Sequence, residues 1–143
     1  FMAGNRDVVA ALAKLKSYLD YGTFQPIQIA AAAALNEGDD FVDNVNVVYQ
    51  DRRDILVDGL ADLGWKMDRP RGTMFVWAPI PGPYEDLDSA EFSIHLLEAA
   101  GVAISPGVGF GPSGEGFVRF ALVEEGLRIE EAVGRIGHAL DRL

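Results

Sequence analysis

The sequence predicts an α/β protein in which helices cover a small sheet and one long helix joins two domains. Three observations predict it. Apolar residues recur at helical spacing in several segments opened by capping side chains or closed by glycine. Short runs rich in β-branched and aromatic residues, bounded by glycine and proline, follow from Trp65 onward. Between these regions, Gly38 and Gly64 enclose a helical stretch of more than about 30 Å at 1.5 Å per residue, longer than a small domain needs.

Each element has a local reason. Asn5 caps a first helix, Asp7 favours its N-terminal dipole, and Val8, Val9, Leu12, Leu15 and Leu19 give it an apolar stripe. A linker with Gly22 and Pro26 leads to an alanine-rich helix over residues 27–36, the proline suiting the first turn. Asp39 or Asp40 starts the long helix, which runs to about Leu63 with Val45, Val48, Ile55, Leu56, Leu60 and Leu63 as its buried stripe. Strands are expected over residues 65–67 and 73–78. A helix over residues 89–100 is opened by an Asp88/Glu91 capping box and closed by Gly101. A short strand over 102–104, a glycine-rich loop over 105–116, a strand over 117–123 and a helix from Gly126 or Leu127 to Leu140 complete the chain. There is no internal repeat and no low-complexity tract.

Composition excludes several functions. Of 143 residues, 49% are hydrophobic and 24% charged, which suits a globular domain able to hold a core. Twelve Lys and Arg against 22 Asp and Glu give a net charge of −10, so the chain lacks the basic face that nucleic acid requires. The close arginine pairs, Arg52-Arg53 and Arg69 with Arg71, sit among Asp51, Asp54 and Asp68. With no cysteine, disulfides, thiolate catalysis and Cys-based metal sites are excluded, and a reducing cytoplasm is the expected compartment. The longest apolar stretch, residues 27–35, is too short to span a bilayer, so no membrane partner is expected. The opening Phe1-Met2-Ala3-Gly4 reads as the end of an apolar strand, as in a fragment whose front half is missing.

Arg119 is the one charge in Phe117-Val118-Arg119-Phe120-Ala121-Leu122-Val123. Strand alternation puts Phe117, Arg119 and Ala121 on one face and Val118, Phe120 and Leu122 on the other. A charge in such a setting calls for an anion, either a protein carboxylate or a ligand, unless the head reaches water from the strand end. A guanidinium fork grips a carboxylate through two parallel hydrogen bonds, which suits an amino or oxo acid.

Other features have bland readings. The glycine loop lacks the lysine of a phosphate-binding loop and precedes a strand rather than a helix, so it reads as a tight connection. His95 and His138 read as surface residues, since neither has a Ser, Cys or second His at catalytic spacing. Asp39-Asp40 and Glu124-Glu125 stand at helix starts, Trp65, Phe75 and Trp77 read as core, and none of Lys14, Lys16 and Lys66 looks like a desolvated nucleophile.

In order and spacing, these pieces resemble the C-terminal part of a fold-type I, pyridoxal-phosphate-dependent class I/II aminotransferase. The branch is that of the diaminopimelate and alanine aminotransferases. The segments that carry the resemblance are Gly4-Asn5 with its helix, Leu15-Lys16-Ser17-Tyr18-Leu19-Asp20-Tyr21-Gly22-Thr23-Phe24, Gly72-Thr73-Met74-Phe75-Val76-Trp77, and Ser105-Pro106-Gly107 through Phe110-Gly111 to Phe117-Val118-Arg119-Phe120-Ala121-Leu122. The resemblance implies that residues 1–45 end the large cofactor-binding domain, that 46–143 form the C-terminal small domain, and that the long helix joins them. It implies that the complete protein is a homodimer moving an amino group between an amino acid and a 2-oxo acid through pyridoxal 5'-phosphate. Arg119 would hold the substrate α-carboxylate, while the glycine loop shapes the mouth of the site and helps the small domain close. Tyr21, Thr23 and Phe24 would lie at the dimer interface near the partner's cofactor phosphate, although Gln25-Pro26 departs from the Ser-Asn of some relatives. The family's Schiff-base lysine and pyridine-pairing aspartate would lie upstream, so no catalytic residue and no metal ligand is assigned here and the fragment alone is expected to be inactive. Two alternatives stand beside this: a pyridoxal-phosphate lyase on the same fold, and a non-catalytic amino-acid-binding or interaction domain.

Overall fold

The computed structural model describes residues 1–140; the last three positions of the expected second domain lie outside the described residues. The chain divides into two compact units, Phe1–Asp43 and a second that begins at Asn44. The first contains α1 (Arg6–Leu19), α2 (Gln25–Glu37) and the start of α3 (Asp39–Asp62). Asn5 caps α1 as expected, its Oδ1 accepting from the amides of Asp7 at 2.8 Å and Val8 at 3.3 Å. Pro26 stands in the first turn of α2. Neither α1 nor α2 has a single buried residue, and Leu15, Leu19, Ile27 and Leu35 are all exposed.

The second unit holds the rest of α3, then β1 (Phe75–Pro79), a 3-10 turn (Gly82–Tyr84) and α4 (Ser89–Ala100). There follow β2 (Ser105–Pro106), two further 3-10 turns (Gly107–Phe110 and Pro112–Gly114), β3 (Phe117–Ala121) and α5 (Gly126–Ala139). The strands form an antiparallel sheet in the order β1-β3-β2, with Trp77 and Ser105 both opposite Arg119. The capping box of α4 forms as the sequence predicts, and Gly101 closes that helix in the left-handed conformation at φ 66°.

One face of this sheet makes the core. Val76 and Ala78 of β1, and Val118 and Phe120 of β3, pack with Leu122 against Leu56, Val57 and Leu60 of α3, Phe92 and Leu96 of α4, and Ile129 and Ile136 of α5. Trp65 sits among them, edge-on to Phe92 and Phe120 at 5.6 Å each, its Nε1–H donating to the Pro79 carbonyl at 2.8 Å.

Several expectations need correction. Residues 65–67 form no strand, because the Trp65 amide donates to the Leu60 carbonyl at 2.9 Å and so finishes the end of α3. Strand pairing begins at Ser105 rather than over residues 102–104, where Val102 and Ile104 pack against the core without joining the ladder. β1 begins at Phe75, two residues late, because Thr73 adopts φ 73°. The buried stripe of α3 lies in its C-terminal half, and Val48 remains exposed. Among the described residues, no helix is long and apolar enough to cross a membrane.

Candidate functional site

Among the described residues, the core positions of α3, α4 and α5 pack with the first face of the sheet, and the second face carries different side chains. Phe75, Trp77 and Pro79 of β1 alternate with the buried Val76 and Ala78, and Phe117, Arg119 and Ala121 of β3 alternate with the buried Val118 and Phe120. Arg119 is therefore the centre of a partly exposed, largely aromatic surface. Its guanidinium carbon lies 4.0 Å from the Phe75 ring centroid and 4.0 Å from that of Phe110. Trp77 meets Phe110 edge-on at 5.5 Å and Phe117 at 6.5 Å.

Arg119 takes part in none of the ion pairs found among the described residues, and its Nε is buried with no hydrogen-bond partner. A buried unsatisfied donor costs about 1–3 kcal/mol, more when charged. Of the two anions the sequence left open, a protein carboxylate is absent from this side chain's surroundings among the described residues. The head does not wave freely into water either, since two rings enclose it. Phe75 and Trp77 are not core residues as expected; they belong to this surface.

The glycine-rich loop is a tight, well-anchored connection that carries Phe110. A Cβ on Gly107 would stand 1.9 Å from the Gly114 carbonyl oxygen and 2.5 Å from that of Phe117, so the two turns can meet only as bare backbone. Glu115 ties the loop to the N-terminus of α4. Its carboxylate accepts from the Ser89 amide at 2.7 Å, the Ser89 hydroxyl at 3.1 Å and the Gly116 amide at 2.9 Å, while the Val108 amide donates to Ser89 Oγ at 3.2 Å. The Gly116 and Ser89 amides hold the Glu115 carboxyl below its ordinary range, against a smaller opposing effect of desolvation. Sequence reasoning missed this latch; the available signal was a lone acid inside the loop and a serine directly after a helix cap.

A second network secures the approach to Phe75. Arg53 donates to the Pro70 carbonyl at 3.1 Å and pairs with Asp54 at 2.7 Å, while Arg69 bridges Asp54 and Asp58. Arg53, then Arg69, holds the Asp54 carboxyl low despite desolvation. A hollow of about 660 Å³ lies between α3 and this turn, lined by Tyr49, Arg53, Pro70, Thr73, Met74 and Phe75.

The other expected residues lie elsewhere. Tyr21, Thr23 and Phe24 occupy the α1–α2 linker of the first unit, all exposed, with Tyr21 at φ 53° and the preceding Asp20 accepting from the Gly22 amide at 3.1 Å. His95 is not the surface residue expected: its ring lies 5.3 Å from that of Tyr84, and Nε2 is buried without a partner. His138 is exposed, its Nδ1 2.6 Å from the Gly134 carbonyl of its own helix. No cluster of potential metal ligands occurs among the described residues.

Comparison with known proteins identifies the family and the fold. The family described as "Aminotransferase class I and II" matches residues 1–136. The chain is 50% identical over 133 residues to the glutamate-pyruvate aminotransferase AlaC of Escherichia coli, covering 93% of this chain and 32% of that protein. It is 46% identical over 141 residues to the LL-diaminopimelate aminotransferase of Desulforudis audaxviator, covering 99% and 35% respectively. Among solved structures, an aminotransferase from Staphylococcus aureus matches with a TM-score of 0.88 at 30% identity, over 98% of this chain and 36% of that one. The chain thus spans about a third of the length of the curated relatives it matches. It belongs to the class I and II aminotransferases, and its fold is that of their C-terminal portion.

Proposed function

We propose that the complete protein moves an amino group from an amino acid to a 2-oxo acid, and that Arg119 holds the substrate α-carboxylate. The observation that carries this is the unpaired guanidinium at the centre of an open sheet face, in a chain of aminotransferase family. A carboxylate gripped at Arg119 fixes one end of the substrate, and orientation of that kind can carry about 7–11 kcal/mol of a barrier. Phe75 and Phe110, against the guanidinium, lower the polarity around such a pair and so strengthen it.

The reading assigns residues 1–45 to the end of a large cofactor-binding domain and 46–143 to a small domain. The family implies pyridoxal phosphate, which when bound supplies an electron sink and a carrier for the amino group. The residues here fit one end of that group. Tyr21 and Thr23 present exposed hydroxyls on either side of Gly22, a donor set suited to a phosphate ester, and Phe24 adjoins them at the uncapped start of α2. None of Lys14, Lys16 and Lys66 suits the cofactor's lysine. Lys66 and Lys14 are exposed, and Lys16 pairs with Asp20 at 2.5 Å. That lysine is assigned to the rest of the complete protein, so residues 1–143 alone should not transaminate. The exposed apolar side chains of α1, α2 and their linker support burial against further protein, in a homodimer, with Tyr21, Thr23 and Phe24 facing the partner's cofactor.

The test is Arg119→Ala in the complete enzyme. KM should rise sharply for the amino acid and the oxo acid alike, and kcat/KM should fall by more than the ~1.5–3 kcal/mol of one charged hydrogen bond. Unchanged kinetics would discard the assignment.

A further inference from the structure

Arg119 has an unusual setting even for a carboxylate receptor. Its guanidinium carbon lies over two rings at once, Phe75 at 4.0 Å and Phe110 at 4.0 Å, which confines the head group between β1 and the glycine loop. Nε is buried without a hydrogen-bond partner, and among the described residues neither terminal nitrogen takes part in an ion pair. The two terminal NH2 groups are the donors left for a ligand. Each ring is fixed by separate means. Phe75 stands on β1, opposite Ala121, next to Met74, whose carbonyl accepts from the Leu122 amide at 2.9 Å. Phe110 ends a 3-10 turn clamped by the Gly107–Gly114 contact, and Trp77 supports it edge-on at 5.5 Å. A half-exposed phenylalanine gains little from burial, and the cation face is the partner that explains its position.

We infer that Phe75 and Phe110 are positioning residues for substrate recognition: they hold Arg119 flat so that an incoming α-carboxylate is met edge-on by both terminal nitrogens. The inference deepens the function proposed above and rests on it. A free arginine must give up the rotational freedom of a long side chain when it binds; a stacked one has already done so. The rings also keep the guanidinium weakly hydrated, which strengthens its pairing with an anion. A lysine, with a compact and strongly hydrated head, could use neither effect.

The experiment compares two substrates in the complete protein: its best amino acid, and the primary amine obtained by removing the α-carboxylate. The readout is the ratio of kcat/KM for the acid over that for the amine. Phe110→Leu and Phe75→Leu should each lower the ratio about tenfold, from the cation–π range converted at tenfold per 1.4 kcal/mol. Phe110→Trp should keep it near the wild-type value, and Arg119→Lys should lower it at least as far as Phe110→Leu. If Arg119→Ala collapses the ratio while both leucine variants leave it unchanged, or slow the two substrates equally, the positioning role is overturned and the carboxylate assignment stands. If Arg119→Ala leaves the ratio unchanged, the assignment itself fails and the positioning role fails with it.

Discussion

The two faces of β3 are built from alternate residues of one five-residue strand, yet they have opposite requirements. Val118 and Phe120 face three helices and are 0% and 5% exposed; Phe117 and Arg119 face outward among aromatic side chains, with Phe117 41% exposed. On the inner face every contact lowers the free energy of folding. On the outer face an unpaired charge and half-exposed rings are maintained at some cost; a carboxylate at the terminal nitrogens would pair the charge while the buried Nε stays without a partner. The contrast separates the face that keeps the unit folded from the face proposed to meet substrate. It predicts that substitutions on the two faces will fail in different assays.

The largest stability effect belongs inside. Phe92→Ala should cost about 3–5 kcal/mol, because the ring is fully buried between Trp65 and Tyr84, and denaturant unfolding of the complete protein checks it. Gly107→Ala comes next at about 1–3 kcal/mol, since its Cβ would strike the Gly114 carbonyl; it should also raise KM by moving Phe110. A normal melting curve with normal kinetics would show that the loop is looser than described.

Arg119→Met sharpens the comparison most. Removing a partly buried, unpaired charge should leave stability unchanged or raise it by up to about 1 kcal/mol, while binding of the substrate acid is lost. A loss of stability like that of Phe92→Ala would mean that Arg119 belongs to the fold rather than to the site. Thr73→Gly should stabilise by about 0.5–1 kcal/mol, because a β-branched residue at φ 73° is strained and glycine is not.

The smallest effect concerns pH. The Gly116 and Ser89 amides hold the Glu115 carboxyl below the ordinary glutamate range in the folded protein, so the stability from this loop contact is present above that range and is lost as pH falls through the lowered value. Glu115→Gln should flatten the acid limb of the stability profile, and an unchanged limb would show that the latch to α4 contributes nothing.

Much of this was legible in the sequence where a local rule sufficed. The Asp88/Glu91 box and Gly101 fix both ends of α4, and Asn5 fixes the start of α1, since capping depends on side chains within three residues of one another. Arg119 was legible because alternation around one charge needs only the strand period. Three things were not. Residues 65–67 have strand-like composition but end a helix, since the Trp65 amide is used by the Leu60 carbonyl. Phe75 and Trp77 carry no mark of which sheet face meets the core helices, because that depends on where α3, α4 and α5 pack. The Ser89–Glu115 latch joins positions 26 residues apart, beyond any local pattern.

The most direct test is a crystal structure of the complete protein with a non-reacting amino-acid analogue bound. Both α-carboxylate oxygens should lie at about 2.7–2.9 Å from the terminal nitrogens of Arg119, with the Phe75 and Phe110 rings still against its guanidinium. Arg119 paired instead with an aspartate or glutamate from the rest of the protein, and the ligand's carboxylate bound elsewhere, would contradict the carboxylate assignment.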